Sequence, residues 1–168
     1  MLFRSAARAA PLLRRAALVA ARRQQYRRAL ALAERSGLLR QDAPGEALRT
    51  EADLLFALLG CLSDLGDHKR AEALLARIDT AAVSARDEGL LRRVAVWRAD
   101  LEYWRHNLAL ADRAPLEAAV ADMDDSPDRG RGCLLLGYDA QCRGDSLATE
   151  AWLRRADAIF EGDRKSVV

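Results

Sequence analysis

The 168 residues are 51% hydrophobic and 31% charged, which supplies a real core and excludes a disordered chain. Four prolines and ten glycines fall mostly at candidate turns, while alanine, leucine, arginine and glutamate, all strong helix formers, recur throughout. An all-α fold follows, with no strand of useful length and no apolar run near the ~20 residues that cross a bilayer.

The net charge of +2 conceals an asymmetry. Residues 1–33 carry eight arginines and no acid, leaving nineteen basic against 25 acidic residues for the remainder. Such an N-terminus fits a mitochondrial targeting segment and equally an ordinary first helix with a solvated basic face. Tyr26 and Ala29, which look like the start of a second helix packed on the first, favour the helix. The arginines are not confined to one face and no aromatics interleave, so nucleic-acid binding through this helix is the lesser alternative.

Along the chain, Pro11 suits a first helical position because its missing N–H would be unpaired there. A helix from Pro11 to Arg22 is expected, then a turn at Arg23-Gln24-Gln25 and a second helix from Tyr26 to Arg35 ended by Gly37. Asp42-Ala43-Pro44-Gly45 reads as a linker. The second pair opens near Glu46, with Leu54, Leu55, Leu58 and Leu62 on one stripe. Gly66-Asp67 breaks it, and His68 to Ile78 returns with Ala71, Leu74, Leu75 and Ile78 facing inward. Ser84 and Asp87 have the spacing of a capping box for the third pair. Leu90, Val94, Trp97, Leu101 and Trp104 then follow at steps of four and three, a buried stripe. Pro115 limits the returning helix to about Pro115–Met123 after a longer turn. Asp124 to Asp128 reads as a solvated linker, and the fourth pair covers Arg129 to Cys142 and Ser146 to Phe160.

Stretches beginning at Ala52, Leu91 and Gly130 share one apolar pattern at a spacing of 39 residues. The fourth position reads Leu55, Val94, Cys133; the seventh Leu58, Trp97, Leu136; the eleventh Leu62, Leu101, Ala140. Gly66-Asp67 and Gly144-Asp145 occupy equivalent places. Self-similarity at this period marks stacked helix pairs, each burying its apolar face against its neighbours. One helical-repeat domain over 1–168 is expected, with pairs at about 10–37, 46–79, 84–123 and 129–160 and a frayed tail at 162–168.

The run Leu55, Leu58, Leu62, Gly66-Asp67, His68, Ala71, Leu75 and Ile78 resembles the tetratricopeptide repeat, and Gly137, Tyr26 and Ala29 add to the likeness. The longer period is similar to that of bacterial transcription-activator superhelices and some secretion-system adaptors. The resemblance implies an α-α superhelix of about four antiparallel pairs whose concave face, lined by the first helix of each pair, binds a peptide or partner helix. In that register Asp53, Phe56, Arg92, Glu102, Tyr103, Arg131, Tyr138 and Gln141 project onto the concave side, with the two tyrosines as exposed anchors.

No catalytic set, cofactor motif or metal-ligand set is expected. His68 and His106 fall at turns, and there is no HExxH, GxSxG or phosphate loop after a strand. Cys61, Cys133 and Cys142 are odd in number and have no CxxC spacing, so a disulfide framework or zinc site is not indicated. Cys61 and Cys133 read as small hydrophobes in helices. Gly130-Arg131-Gly132 is a weak anion signal at a helix start, and Asp122, Asp124, Asp125 and Asp128 lack the spacing of a calcium loop. The expected role is a non-enzymatic adaptor or chaperone-like scaffold for a protein or peptide partner. It would act in the cytoplasm or alternatively in the mitochondrial matrix as an assembly subunit, with a transcription-regulatory role or homo-oligomerisation also open.

Overall fold

The computed structural model describes residues 2–105 and 110–166. Those residues form nine α-helices and no strand, so the chain is all-α. In order they are α1 (Leu2–Arg22), α2 (Tyr26–Arg35), α3 (Gly45–Thr50), α4 (Ala52–Asp64), α5 (His68–Ala85), α6 (Glu88–Arg105), α7 (Ala114–Ala121), α8 (Pro127–Cys142) and α9 (Ser146–Ser166). Where the sequence suggests one domain over 1–168, the contacts divide the chain into two compact units, Met1–Arg86 and Asp87–Val168.

In the first unit α1 packs on α2, both pack on α4, and α5 covers α4 and α3. Alanines 17, 20, 29 and 33 supply the buried faces of α1 and α2. Leu54, Leu55, Leu58, Leu59 and Leu62 fill the α4 side, met by Ala71, Leu74, Leu75 and Ile78 of α5. Each fully buried leucine contributes roughly 1.5–3 kcal/mol.

The second unit is built on α8, which packs on α6, α7 and α9. Its close approach to α7 depends on Gly132, where a Cβ would stand 2.5 Å from Val120 Cγ2. Gly130 is likewise closed off, by the Phe160 ring, so these two glycines serve helix packing and not an anion. All nine aligned positions of the 39-residue pattern are buried. The period read from the sequence is a period of burial.

Three hairpins share one turn. Asp67 N–H donates to the Leu62 carbonyl (2.9 Å) and Gly66 N–H to the Ser63 carbonyl (2.9 Å). Asp145 and Gly144 repeat this with Ala140 and Gln141, and Gln25 and Gln24 with Ala20 and Ala21. This is the Schellman arrangement, whose central residue must be left-handed. Gly66 and Gly144 take it at φ +73° and +76°, and Gln24 at φ 57°. Asp67 and Asp145 then cap the next helix, accepting from the N–H groups of Arg70 (3.3 Å) and Ala148 (3.0 Å).

Several boundaries differ from expectation. α1 begins at Leu2 with Pro11 inside it; the alanine-rich stretch before the proline is strongly helical, and one lost hydrogen bond does not stop it. Residues 45–50, expected to begin one continuous helix, form a separate short helix, α3, broken from α4 at Glu51. α5 continues past Ile78 to Ala85 and absorbs Ser84, whose hydroxyl donates back to the Thr80 carbonyl. Arg86 at φ 55° ends α5, and Asp87 alone caps α6 by accepting from Leu90 N–H. Ser126 caps α8, which starts two residues earlier than expected. The tail expected to fray is helical through Ser166. α7 is short, as the placement of Pro115 predicts, while part of the preceding turn, with His106, lies outside the described residues.

Holding Gln24 left-handed costs about 1 kcal/mol, an expense glycine avoids. Gln24→Gly is expected to raise unfolding stability by about 0.5–1 kcal/mol, and Gly66→Ala to lower it by about 1 kcal/mol. Chemical denaturation measures both; a Gln24→Gly protein no more stable than wild type contradicts this account.

Candidate interaction surface

The residues expected to form the concave face divide between the units. Asp53 is exposed on α4, whereas Phe56 is only 2% exposed and belongs to the core. α4 is apolar on more than one face, because α1, α2, α3 and α5 all pack on it. Phe56 is therefore unavailable to a ligand. In the same unit α3 and α5 line an open groove of about 500 Å³. Its walls mix Glu46, Arg49 and Arg77 with alanine and leucine, and hold no histidine or cysteine. Arg77 is occupied there, donating to the carbonyls of Leu39 and Arg40.

The remaining six residues lie on α6 and α8. Arg131 donates to Asp100 at 3.0 Å, and its guanidinium lies 4.1 Å from the centre of the Trp97 ring. Asp100 is buried. Trp97, 4% exposed, donates from Nε1 to Asp128 at 2.9 Å, and Arg93 donates to the other oxygen of the same carboxylate. Asp128, read as part of a solvated linker, is thus the acceptor that ties the first turn of α8 to α6. A tryptophan that is buried needs such an acceptor for its N–H.

Tyr103 corrects a second expectation. It is 2% exposed, not an open anchor, and Trp104, placed on the buried stripe, is 53% exposed. The Tyr103 ring meets Trp104 edge-on at 5.5 Å and stacks with half-buried Tyr138 at 6.4 Å. Burial, the contact of its hydroxyl with Cys142 Sγ at 3.9 Å and the nearby Asp139 charge push the Tyr103 hydroxyl up to about 12. The accessible rings are therefore the outer two of a row, Trp104 and Tyr138. Arg92 and Glu102 are half-buried and Gln141 is exposed; Glu102 accepts from Ala111 N–H.

Behind this face Asp139 is 1% exposed. It accepts from Leu110 N–H at 3.2 Å and from Arg143 Nε at 2.8 Å, while Arg143 also donates to the Leu110 carbonyl. Together they pin the segment entering α7 to α8. Residue spacing alone does not signal this clamp, because an aspartate and an arginine four apart read as a surface helix pair.

His68 is exposed at the first residue of α5. Cys61 is buried, and burial raises its thiol from 9.0 to about 11; Cys133 is raised by burial as well. Both are held as the neutral thiol, which is a poor nucleophile. Among the described residues no three His, Cys, Asp or Glu side chains converge as metal ligands, and no helix is long and apolar enough to cross a membrane. No known protein family, curated protein or solved structure matches the chain.

Trp97→Ala is expected to cost roughly 3–5 kcal/mol, and Asp139→Ala roughly 1–3 kcal/mol by stranding the Leu110 N–H. Asp139→Asn, which keeps an acceptor, should cost less; equal losses for the two would remove the clamp from the account. The thiol shift also sets a pH dependence. The native state favours the protonated Cys61 thiol, so stability is unaffected below 9.0 and falls as pH rises from there toward 11. In Cys61→Ala the decline over that range should be shallower, with Cys133 still contributing, as read from denaturation midpoints.

Proposed function

We propose that this chain is a non-enzymatic protein-binding module of the tetratricopeptide-repeat kind, an adaptor or chaperone-like holder for a segment of a partner protein. The observation that carries the reading is the recurrence of one unit of construction. Nine positions at a 39-residue spacing are all buried, and one turn closes three hairpins. A scaffold so built fixes its inward faces and leaves the outward faces of its first helices free to differ, which is how repeat proteins make binding surfaces.

On the second unit that face carries Trp104, Tyr138, Arg131 and Gln141. Two partly exposed rings supply apolar area, and Arg131, already stiffened against Trp97, supplies a directed cation. Tyrosine, tryptophan and arginine are the residues that dominate protein interfaces. Three unpaired cysteines, two of them buried, suit a reducing compartment, which we read as the cytoplasm.

Affinity measured against a partner isolated on the immobilised protein tests the reading. Trp104→Ala and Tyr138→Ala should each weaken binding by about tenfold or more while leaving far-UV circular dichroism unchanged. Leu147→Ala, at an exposed position on α9, should have no effect. Unchanged affinity in both ring variants overturns the assignment of this face. An isolated partner that is a nucleic acid, held in a way that depends on salt and on the α1 arginines alone, overturns the protein-binding reading itself.

A further inference from the structure

We propose that the groove between α1 and α2 receives an acidic amphipathic helix from a partner protein. The two helices enclose an open groove of about 340 Å³. Leu12, Val19 and Leu32 are apolar residues lining it, and Arg15, Arg23 and Arg28 are the charged ones. Leu12 is 71% and Val19 45% exposed, although α1 is engaged with the core through Ala17, which is fully buried, and through Ala20 at the groove's edge. The helix thus has one apolar stripe spent on the core and a second left open to water.

The stripe has the geometry of a helix seat. Arg15, Ala16, Val19 and Arg23 lie three, four, seven and eleven residues beyond Leu12, so they share one side of α1. From Leu12 to Arg23 they extend about 16 Å, three turns of helix. Gln25 at the start of α2, with Arg28 and Leu32 on it, follow at steps of three and four and line the same groove. A partner helix lying along it would present apolar residues at i, i+4 and i+7, the helix-in-groove mode of recognition.

Charge selects the chemistry of that helix. No aspartate or glutamate occurs in residues 1–33, so nothing local neutralises this rim. Arg28 donates to Gln25 at 3.2 Å, a neutral partner, and Arg15 and Arg23 form no ion pair among the described residues. Arg14, by contrast, is paired with Glu51 at 3.1 Å, so the first unit satisfies an α1 arginine where it needs to and leaves the rim cations open. Glutamates flanking an apolar stripe would meet them, adding on-rate and orientation. A flat anionic membrane matches the charge, but a groove lined from two helices fits a rod-shaped ligand better than a plane. The proposal is independent of the face carrying Trp104 and Tyr138, which belongs to the other unit.

A synthetic peptide of ~16 residues, with leucines at i, i+4 and i+7 and glutamates on both flanks, serves as the probe for the full chain. Fluorescence anisotropy should show saturable binding that weakens as salt rises. A peptide of the same composition with the leucines scattered should bind much less. Arg15→Glu with Arg23→Glu should reduce affinity by about tenfold or more, and Val19→Asp should do the same. All three positions are exposed, and circular dichroism checks that the variants fold. Absence of binding, or binding indifferent to Val19→Asp, overturns the proposal. So does binding of phosphatidylserine vesicles or duplex DNA without binding of the peptide.

Discussion

Of the nine described helices, α2, α3, α4 and α7 have only 6 to 13 residues. Even the longer ones gain most of their stability from packing, because the first turn of an isolated helix is costly to form. What holds them is a reversal of the chain that lays each one against its predecessor. Three reversals use one hydrogen-bonding pattern, with a left-handed residue between the last turn of one helix and the first of the next. Because that pattern fixes where the second helix starts, it also fixes which of its sides faces back. The full burial of Ala71, four residues beyond Asp67, and of Ala156, eleven beyond Asp145, follows from that phase. The hydrophobic stripe gives the energy, and the turn gives the register in which the energy can be collected.

Above that scheme the second unit adds a layer of buried charge. Buried Asp100 and largely covered Asp128 each meet an arginine from the facing helix, Arg131 and Arg93, while buried Asp139 meets Arg143 one turn along its own helix. Ion pairs of this kind add little net stability, since desolvation offsets most of the attraction. Their effect is directional. A planar guanidinium satisfies two acceptors in fixed geometry, and here it spans a carboxylate and a ring, or a carboxylate and a carbonyl. Apolar contacts alone would let α8 slide on α6; the pairs Asp100–Arg131 and Asp128–Arg93 select one alignment. The arginine-rich composition, which the sequence presents as a bulk property, is used at these points as individual forks.

The repeating part of the fold was legible because it rests on phase. Apolar residues 39 apart recur on one side of three helices, and Gly-Asp at a fixed offset names the turn. What was not legible depends on how far a neighbour reaches. Trp104 stands seven residues after Trp97, almost the same angle about the axis, yet Trp97 is covered and Trp104 in the last turn of α6 is not. Periodicity gives the angle of a side chain and says nothing of where its cover stops. Tyr103, about a third of a turn away, is closed in by Tyr138 and Cys142 from α8, contacts made across 35 to 39 residues of chain. Phe56 was misplaced for a related reason: a helix packed by four neighbours has no open side for its repeat register to point to. The turn before α2 was found only as a break, since Gln24 does a glycine's work without being one.

The N-terminal charge shows the same division within a single helix. Read as composition, eight arginines without an acid suggest import, nucleic acid or solvent, and they do not separate those readings. In the fold α1 is a working part of the first unit. Ala17 and Ala20 let it lie close on α2 and α4, and Arg14, three-quarters covered, reaches Glu51 just ahead of α4. Losing α1 would uncover the alanine faces of α2 and leave Glu51 without its cation. The arginines that face away have no such duty in the core. Their position is conditioned instead by what the small residues opposite them require: a helix that must keep alanine on one side can carry bulk and charge only on the other.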